Sequence, residues 1–184
     1  MQTVLHTAES RGNAHHGWLQ SRHTFSFADY YDRNRMNFGV LRVINDDQVA
    51  GGQGFGTHPH RDMEIISIPL EGDLAHKDSM GNGSIIRQGD VQIMSAGTGV
   101  THSEMNANAD QAVKFLQIWV LTRKNGVEPR YQQIRIADEA QPNDFQQIVS
   151  PHADDAGVWI HQDVWFSLAK FSNGLSKPYQ VKRA

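Results

Sequence analysis

Short segments typical of β-strands recur along this chain at close intervals, with turn-forming residues between them. Five of them cover residues 63–70, 74–77, 84–87, 91–94 and 113–121. No segment keeps a helical period over three turns, and many short strands at regular spacing are typical of an all-β sandwich or barrel. The last of the five is almost continuously apolar, which predicts a strand buried on most sides.

The regions around these segments are less regular. Residues 38–44 predict another strand, which we expect to end at the polar sequence Asn45-Asp46-Asp47. From residue 122 to residue 142 the chain turns polar, which indicates a linker or a strand crossing between two units.

A second group of strand signals follows the polar stretch. It covers residues 145–149, 158–161 and 164–171. Two or three strands cannot close a barrel or bury both of their faces alone. We therefore predict an N-terminal barrel over residues 1–125 and a linker with an incomplete second unit over residues 126–184.

Composition limits the classes of function. The hydrophobic fraction of 39% and the charged fraction of 20% are typical of a soluble globular protein. The net charge of −3 gives no basic stripe for nucleic acid, and no apolar run approaches the roughly 20 residues that span a bilayer. The first residues do not have the pattern of a signal peptide, so we expect a cytoplasmic location. The chain has no cysteine, so any metal ion must take nitrogen and oxygen ligands.

Two pairs of polar residues stand out within the apolar, strand-like setting. His58 and His60 are two apart, and so are His102 and Glu104. Residues i and i+2 of a strand point to the same face, so each pair presents its side chains together. Three imidazoles and one carboxylate that converge in a small barrel would form a mononuclear metal site, and this is our working hypothesis.

The carboxylate ligand is ambiguous on spacing alone. Glu64 lies four residues after His60 and should share its inward face by the strand period. Glu64 and Glu104 therefore both remain candidates at this point. A single histidine on an apolar strand is usually a hydrogen-bonded core residue, but two matched pairs inside similar glycine frames favour the metal site.

We interpret the remaining histidines and aromatic residues as structural. His76 is expected at a polar hairpin edge rather than at a pocket mouth. His23 and His161 are expected to pack on strands. Exposed positions are expected for His6, His15, His16 and His152, and core positions for Phe25, Phe27, Phe55, Met63 and Trp119.

Longer strings resemble a known family. The two glycine-framed motifs are similar to the signature motifs of the cupin superfamily, with Ser95 where cupins usually have proline and a longer gap from Gly97 to His102. The strings GFGTHPHRDMEI, HKDSMGN, DVQIMSAGTGVTHSEMN and QIWVLTRKNGVEPRY resemble the pirin family, in particular bacterial pirin-like proteins of the quercetin 2,3-dioxygenase type.

The resemblance implies a fold and a ligand set. The fold is an all-β jelly-roll cupin barrel, here a bicupin whose C-terminal second cupin unit is incomplete. The implied metal ligands are His58, His60, His102 and Glu104, which favours Glu104 over Glu64. Glu64 would then orient a ligand histidine. We expect the apolar strand around residues 164–171 to pair with the first barrel or with another chain, which would give self-association.

Three neutral imidazoles and one carboxylate leave a divalent ion with open positions. Such ligands suit Fe(II), Mn, Co, Ni, Cu or Zn, and the resemblance favours Fe(II). The implied activity is that of an oxidoreductase, the oxygenolytic ring cleavage of a flavonol such as quercetin by dioxygen, with Glu104 as ligand and general base.

The sequence leaves two other functions open. One is a non-catalytic, redox-responsive regulator that binds metal and acts through a protein partner. The other is a cupin isomerase or sugar-binding module, which would need a basic pocket mouth. The motif neighbourhoods offer only Arg61, Lys77 and Arg87 for that purpose, so this function ranks last.

Overall fold

The computed structural model describes residues 4–182, and within this range the fold is built from strands. Two 3-10 turns, Ala8–Ser10 and Ala137–Glu139, are the helical elements of the described residues. No helix in this part of the chain has the length and apolar character needed to cross a membrane. The expectation of an all-β fold is confirmed.

A seven-stranded antiparallel sheet forms the larger layer, which we call the large sheet. In spatial order its strands are β1 (Gly12–His15), β2 (Leu19–His23), β3 (Leu41–Val49), β10 (Val113–Leu121), β5 (Met63–Glu71), β8 (Asp90–Ser95) and β11 (Arg130–Arg135). The apolar strand β10 lies at its centre between β3 and β5, which confirms the prediction that it is buried.

A four-stranded antiparallel sheet packs against one face of the large sheet. Its strands, in spatial order, are β4 (Gly54–His60), β9 (Val100–Asn106), β6 (Asp73–Asp78) and β7 (Gly83–Arg87). Buried side chains from both layers meet in one apolar cluster that includes Val49, Leu74, Ile86 and Phe115. The two layers form the jelly roll that the sequence predicts, and the face of the large sheet turned toward the smaller layer is called the inward face below.

The opposite face of the large sheet carries a third, small sheet. Its strands are β12 (Phe145–Ser150), β13 (Val158–Trp159) and β14 (Phe166–Ala169), with β12 in the middle. Aliphatic side chains from both sheets form one buried cluster: Ile66, Ile68, Val91, Ile93, Ile118, Val120, Ile136, Ile148, Val149, Val158 and Ile160. We call this second face of the large sheet the outward face.

Strand β14 finds a partner that the sequence analysis did not name. It pairs with β12 of its own small sheet, while Val164 and Phe166 pack against the aliphatic cluster of the outward face. The apolar segment therefore contacts the first unit by side-chain packing rather than by strand pairing, and self-association through it stays a prediction.

One expected boundary was wrong. Strand β3 does not end at Asn45 but continues to Val49, because Asn45 and Asp47 point to the inward face and neighbouring polar strands accommodate them. The polar stretch after residue 122 contains β11, which pairs with β8 at the edge of the large sheet. The large sheet thus takes a strand from beyond residue 125, and the division at that residue stays a prediction.

Candidate metal centre

Three histidines meet where β4 and β9 pair. His58 lies directly opposite His102 in this pairing, and His60 follows two residues along β4. The ring centroids are 4.5 Å apart for His58 and His102, 4.8 Å for His58 and His60, and 4.9 Å for His60 and His102. Their donor nitrogens all lie within 4.8 Å of one another. The structure therefore brings the three imidazoles together.

The nitrogens of this cluster are mostly without partners. The Nδ1 atom of His58 lies 2.7 Å from the carbonyl oxygen of Gly56, which leaves its Nε2 atom free for another partner. The Nε2 atom of His60 and both ring nitrogens of His102 are buried and have no hydrogen bond within residues 4–182. A buried polar atom left in this state costs about 1–3 kcal/mol, so several of them in one place indicate an intended ligand.

The surroundings keep two of these imidazoles, those of His60 and His102, neutral. Burial, together with the neighbouring His58, lowers the pKa of His60 to about 4. Burial, followed by His58 and His60, lowers the pKa of His102 to about 3. A neutral imidazole offers the lone pair that a metal ion needs, so the cluster fits a divalent ion at neutral pH.

Glu104 lies beside the cluster on β9 and is 2% exposed. Ser67 donates a hydrogen bond to its Oε1 atom at 2.7 Å, and Gln117 donates one to its Oε2 atom at 2.5 Å. Burial raises the pKa of this carboxyl group, and the hydrogen bond from Ser67 opposes the rise. Glu104 is held in one orientation, with an oxygen atom within 4.8 Å of His102.

His76 belongs to the same site, and its expected place at a hairpin edge was wrong. Strand β6 lies between β9 and β7, and His76 sits opposite Glu104 with only 3% of its surface exposed. Donor atoms of His76, His102 and Glu104 lie within 4.8 Å of one another. The sequence spacing is consistent with this place, since Leu74, His76 and Asp78 are two residues apart and therefore share one face of a strand.

An ordered carboxylate supports His76. Its Nε2 atom lies 3.1 Å from Oδ2 of Asp78, and its Nδ1 atom is buried and has no hydrogen-bond partner among the described residues. Asp78 in turn accepts hydrogen bonds from the backbone N–H groups of Met80 and Asn82 and from the Asn82 side chain. A histidine held by a carboxylate in this way is typical of metal sites.

Glu64, the alternative carboxylate, lies on the outward face. Ser95 donates a hydrogen bond to its Oε2 atom at 2.7 Å. Burial raises the pKa of Glu64, while Ser95, the backbone of His161 and the charge of Arg130 oppose the rise. The expectation that Glu64 shares a face with His60 was wrong, because the chain turns between them at Asp62, which has a φ of 48°. The turn breaks the two-residue period.

A cavity of about 220 Å³ opens beside the cluster on the inward face. Phe27, Phe55 and Trp119 form aromatic parts of its wall, although the sequence analysis expected them in the core. The complete lining is Leu19, Ser21, His23, Phe27, Asn45, Asp47, Phe55, His58, His60, Glu104, Gln117 and Trp119. An aromatic residue on an inward face has the same sequence signal in either place, so the sequence could not separate cavity from core.

A jelly roll with clustered imidazoles at an inner cavity defines a protein of the cupin class. A family model described as Pirin matches residues 4–120, and one described as Quercetinase C-terminal cupin domain matches residues 147–184. This chain belongs to the pirin family.

Several relatives are similar over most of the chain. The protein named quercetin 2,3-dioxygenase from Escherichia coli (strain K12) is 52% identical over 160 residues, which cover 87% of this chain and 68% of the relative. The crystal structure of the bacterial pirin YhhW from Escherichia coli in complex with nickel(II) is 51% identical with a TM-score of 0.80, covering 85% of this chain and 66% of that one.

A more distant structure, a quercetin 2,3-dioxygenase from Acinetobacter baumannii, is 28% identical with a TM-score of 0.62 and covers 80% of this chain and 57% of that one. The chain spans about two thirds of the length of the Escherichia coli relatives.

Proposed function

We propose that His58, His60, His102 and Glu104 bind a divalent metal ion, Fe(II) in the first place, and that the chain cleaves a flavonol such as quercetin with dioxygen. The observation that supports this most directly is the cluster of unpartnered imidazole nitrogens beside an aromatic-walled cavity. Ni, Zn, Mn, Co and Cu are the alternative ions for nitrogen and oxygen ligands.

The relatives point to the same reaction. One relative at 52% identity is named quercetin 2,3-dioxygenase, and the pirin YhhW was crystallised with nickel(II). The chain spans about two thirds of the length of these relatives. The activity named for the full-length relative is therefore proposed for this chain. Both halves of the candidate site, at β4 and β9, lie within the matched residues 4–120.

A bound divalent ion supplies Lewis-acid activation of a substrate hydroxyl and a site for dioxygen. The protein contributes the groups that position the substrate and receive its proton. Glu104 accepts the proton of the flavonol 3-hydroxyl, because burial raises the pKa of this carboxyl group. Ser67 and Gln117 hold both of its oxygens in place.

The cavity wall suits a flat, aromatic substrate. Trp119 meets the ring of His60 edge-on with centroids 4.9 Å apart, and Phe27 meets Trp119 edge-on at 5.3 Å. These rings pack against the substrate and exclude water from the neighbourhood of the imidazoles. The resemblance implies that the central ring is cleaved with release of carbon monoxide. The cleaved product then remains in the same cavity.

The two glutamates provide a matched test. Iron-loaded wild type, Glu104→Gln and Glu64→Gln are compared by oxygen consumption with quercetin and by metal content. We expect Glu104→Gln to lower turnover by about 100-fold or more, which is the range for loss of a general base. Glu64→Gln should stay within about threefold of wild type, because Glu64 lies on the other face of the sheet.

Two results would contradict the proposal. One is an iron-loaded wild type that consumes no oxygen with quercetin, and the other is a Glu104→Gln variant with unchanged turnover. In the first case, a protein partner that is released on chelation of the metal would favour the regulatory function instead.

A further inference from the structure

The inward face of the large sheet carries a strip of polar side chains that the proposed metal site does not use. Asn45 and Asp47 of β3 are 2% and 3% exposed, and Ser21 and His23 of the neighbouring β2 lie opposite them. Polar groups in such a buried position need partners, since unmet hydrogen bonds are costly.

Most of this strip is satisfied within the protein. His23 Nδ1 lies 2.8 Å from Oδ1 of Asn45 and 3.2 Å from the hydroxyl oxygen of Ser21. Gln117, which faces Asn45 across the pairing of β3 and β10, donates to Glu104. Asp47 is different, because its buried Oδ1 atom has no hydrogen-bond partner within residues 4–182.

Asp47 faces the cavity beside the candidate metal site. It lines this cavity together with His58, His60 and Glu104. Besides burial, the influences on its carboxyl group are a side-chain hydrogen bond with Ser21 and the negative charges of Glu104 and Asp46, and no basic residue is among them. An unpartnered acceptor in a negative setting accepts a hydrogen bond from a neutral O–H donor and excludes a second anion.

Trp119 also lines the cavity and carries a hydrogen-bond donor. Its Nε1 atom is buried and has no hydrogen-bond partner in the part of the chain that the structure describes. Asp47 pairs with Phe115 on β10, and Trp119 lies four residues further along that strand, a span of about 13 Å. A long, flat molecule with a hydroxyl at one end and an oxygen acceptor at the other would satisfy both atoms.

We propose that Asp47 is a specificity-determining residue that accepts a hydrogen bond from a ring hydroxyl of the substrate. The class of ligand is a hydroxylated aromatic, and the hydroxyl concerned is separate from the one that the metal site binds. The inference rests on the proposed function for its flavonol substrate, but the hydrogen bond itself can be tested with simpler phenols.

The test is a binding measurement without turnover. Zinc-loaded protein under argon is titrated with quercetin and with 3-hydroxyflavone, which keeps the 3-hydroxyl and lacks the others, and quenching of tryptophan fluorescence reports binding. We expect wild type to prefer quercetin by about tenfold, the range for one hydrogen bond to a carboxylate. Asp47→Ala should abolish the preference, because it weakens the binding of quercetin and leaves the binding of 3-hydroxyflavone unchanged.

Two further variants act as controls. Asp46→Ala removes the neighbouring carboxylate, which points to the opposite face and pairs with Arg11 at 3.5 Å, and it should keep the preference. Asp47→Asn keeps the size of the side chain and an acceptor oxygen, and it should keep part of the preference. Because Asn fits the same space, this variant separates a lost hydrogen bond from a damaged fold.

The outcomes separate the two proposals. The role of Asp47 is overturned if wild type binds both flavonols with equal affinity. It is also overturned if Asp47→Ala lowers the affinity for both flavonols equally. If wild type binds neither flavonol, the proposed function fails, and catechol is compared with its dimethyl ether on the same proteins. A catechol preference that Asp47→Ala removes then upholds the role of Asp47, and the absence of such a preference overturns it.

Discussion

The two faces of the large sheet differ sharply although the same strands build both. The outward face carries a large aliphatic cluster that packs against the small C-terminal sheet, with the hydrogen-bonded pair Glu64 and Ser95 as its buried polar exception. The inward face of β3 and β10 carries Asn45, Asp47 and Gln117, all less than 10% exposed, around the cavity. Burial of the apolar face therefore contributes to stability, whereas the buried polar groups of the inward face fit the proposed binding of a ligand.

The first way to test this division is to remove one histidine from each side of the sheet. His102→Ala should bind metal at least about 100-fold more weakly, because loss of even an outer partner of a ligand costs about 10–100-fold. His161→Ala should bind metal as wild type does, because its ring packs against Trp159 on the C-terminal side. Titration calorimetry with nickel or zinc measures both. Equal affinities in the two variants would remove the distinction between the faces.

The second test concerns the outward face alone. Ile66→Ala opens space in the aliphatic cluster, where Ile66 is fully buried, and should destabilise the protein by about 2–5 kcal/mol. Metal bound per folded molecule should not change. Leu70→Ala on the same strand is the control, since Leu70 is 41% exposed, and it should cost about 0.5 kcal/mol or less. Urea unfolding gives both values. A normal stability in Ile66→Ala would contradict the structural role of this face.

The third test uses the pH dependence of the inward face. Burial raises the pKa of Asp47 from 3.8 to about 7, with smaller effects from Ser21, Glu104 and Asp46. A raised pKa favours the folded state below about pH 4, and this advantage is lost as the pH rises through about 7. Asp47→Asn lacks the charge, so its stability relative to wild type should increase by about 2–4 kcal/mol between pH 4 and pH 8.

The measurement for Asp47 is urea unfolding of both metal-free proteins at several pH values. The difference between the two proteins removes the contribution of all other titrating groups. A difference that stays constant from pH 4 to pH 8 would show that Asp47 has an ordinary pKa and is accessible to water.

Local patterns predict those parts of the molecule that depend on neighbouring residues of one strand. The pair His58 and His60 and the central strand β10 follow from alternation and from a continuous apolar run. His76 was missed because the sequence does not show that β6 has a neighbour on each side. Asp47 was missed because the polar triplet at residues 45–47 is also a common sign of a strand end. Such features depend on contacts between strands that are distant in sequence.

The turn between β4 and β5 has a consequence for how such sites vary. The N–H group of Asp62 donates to the carbonyl of Gly97, and its Oδ1 atom accepts from the N–H group of Gly126, so the connection is fastened at two points. One residue added to or removed from this link would rotate the following strand by half a repeat and exchange its two sides. The side chain of Glu64 would then point toward the imidazoles. A change of length at one short link would thus suffice to transfer the carboxylate of the centre from one motif to the other.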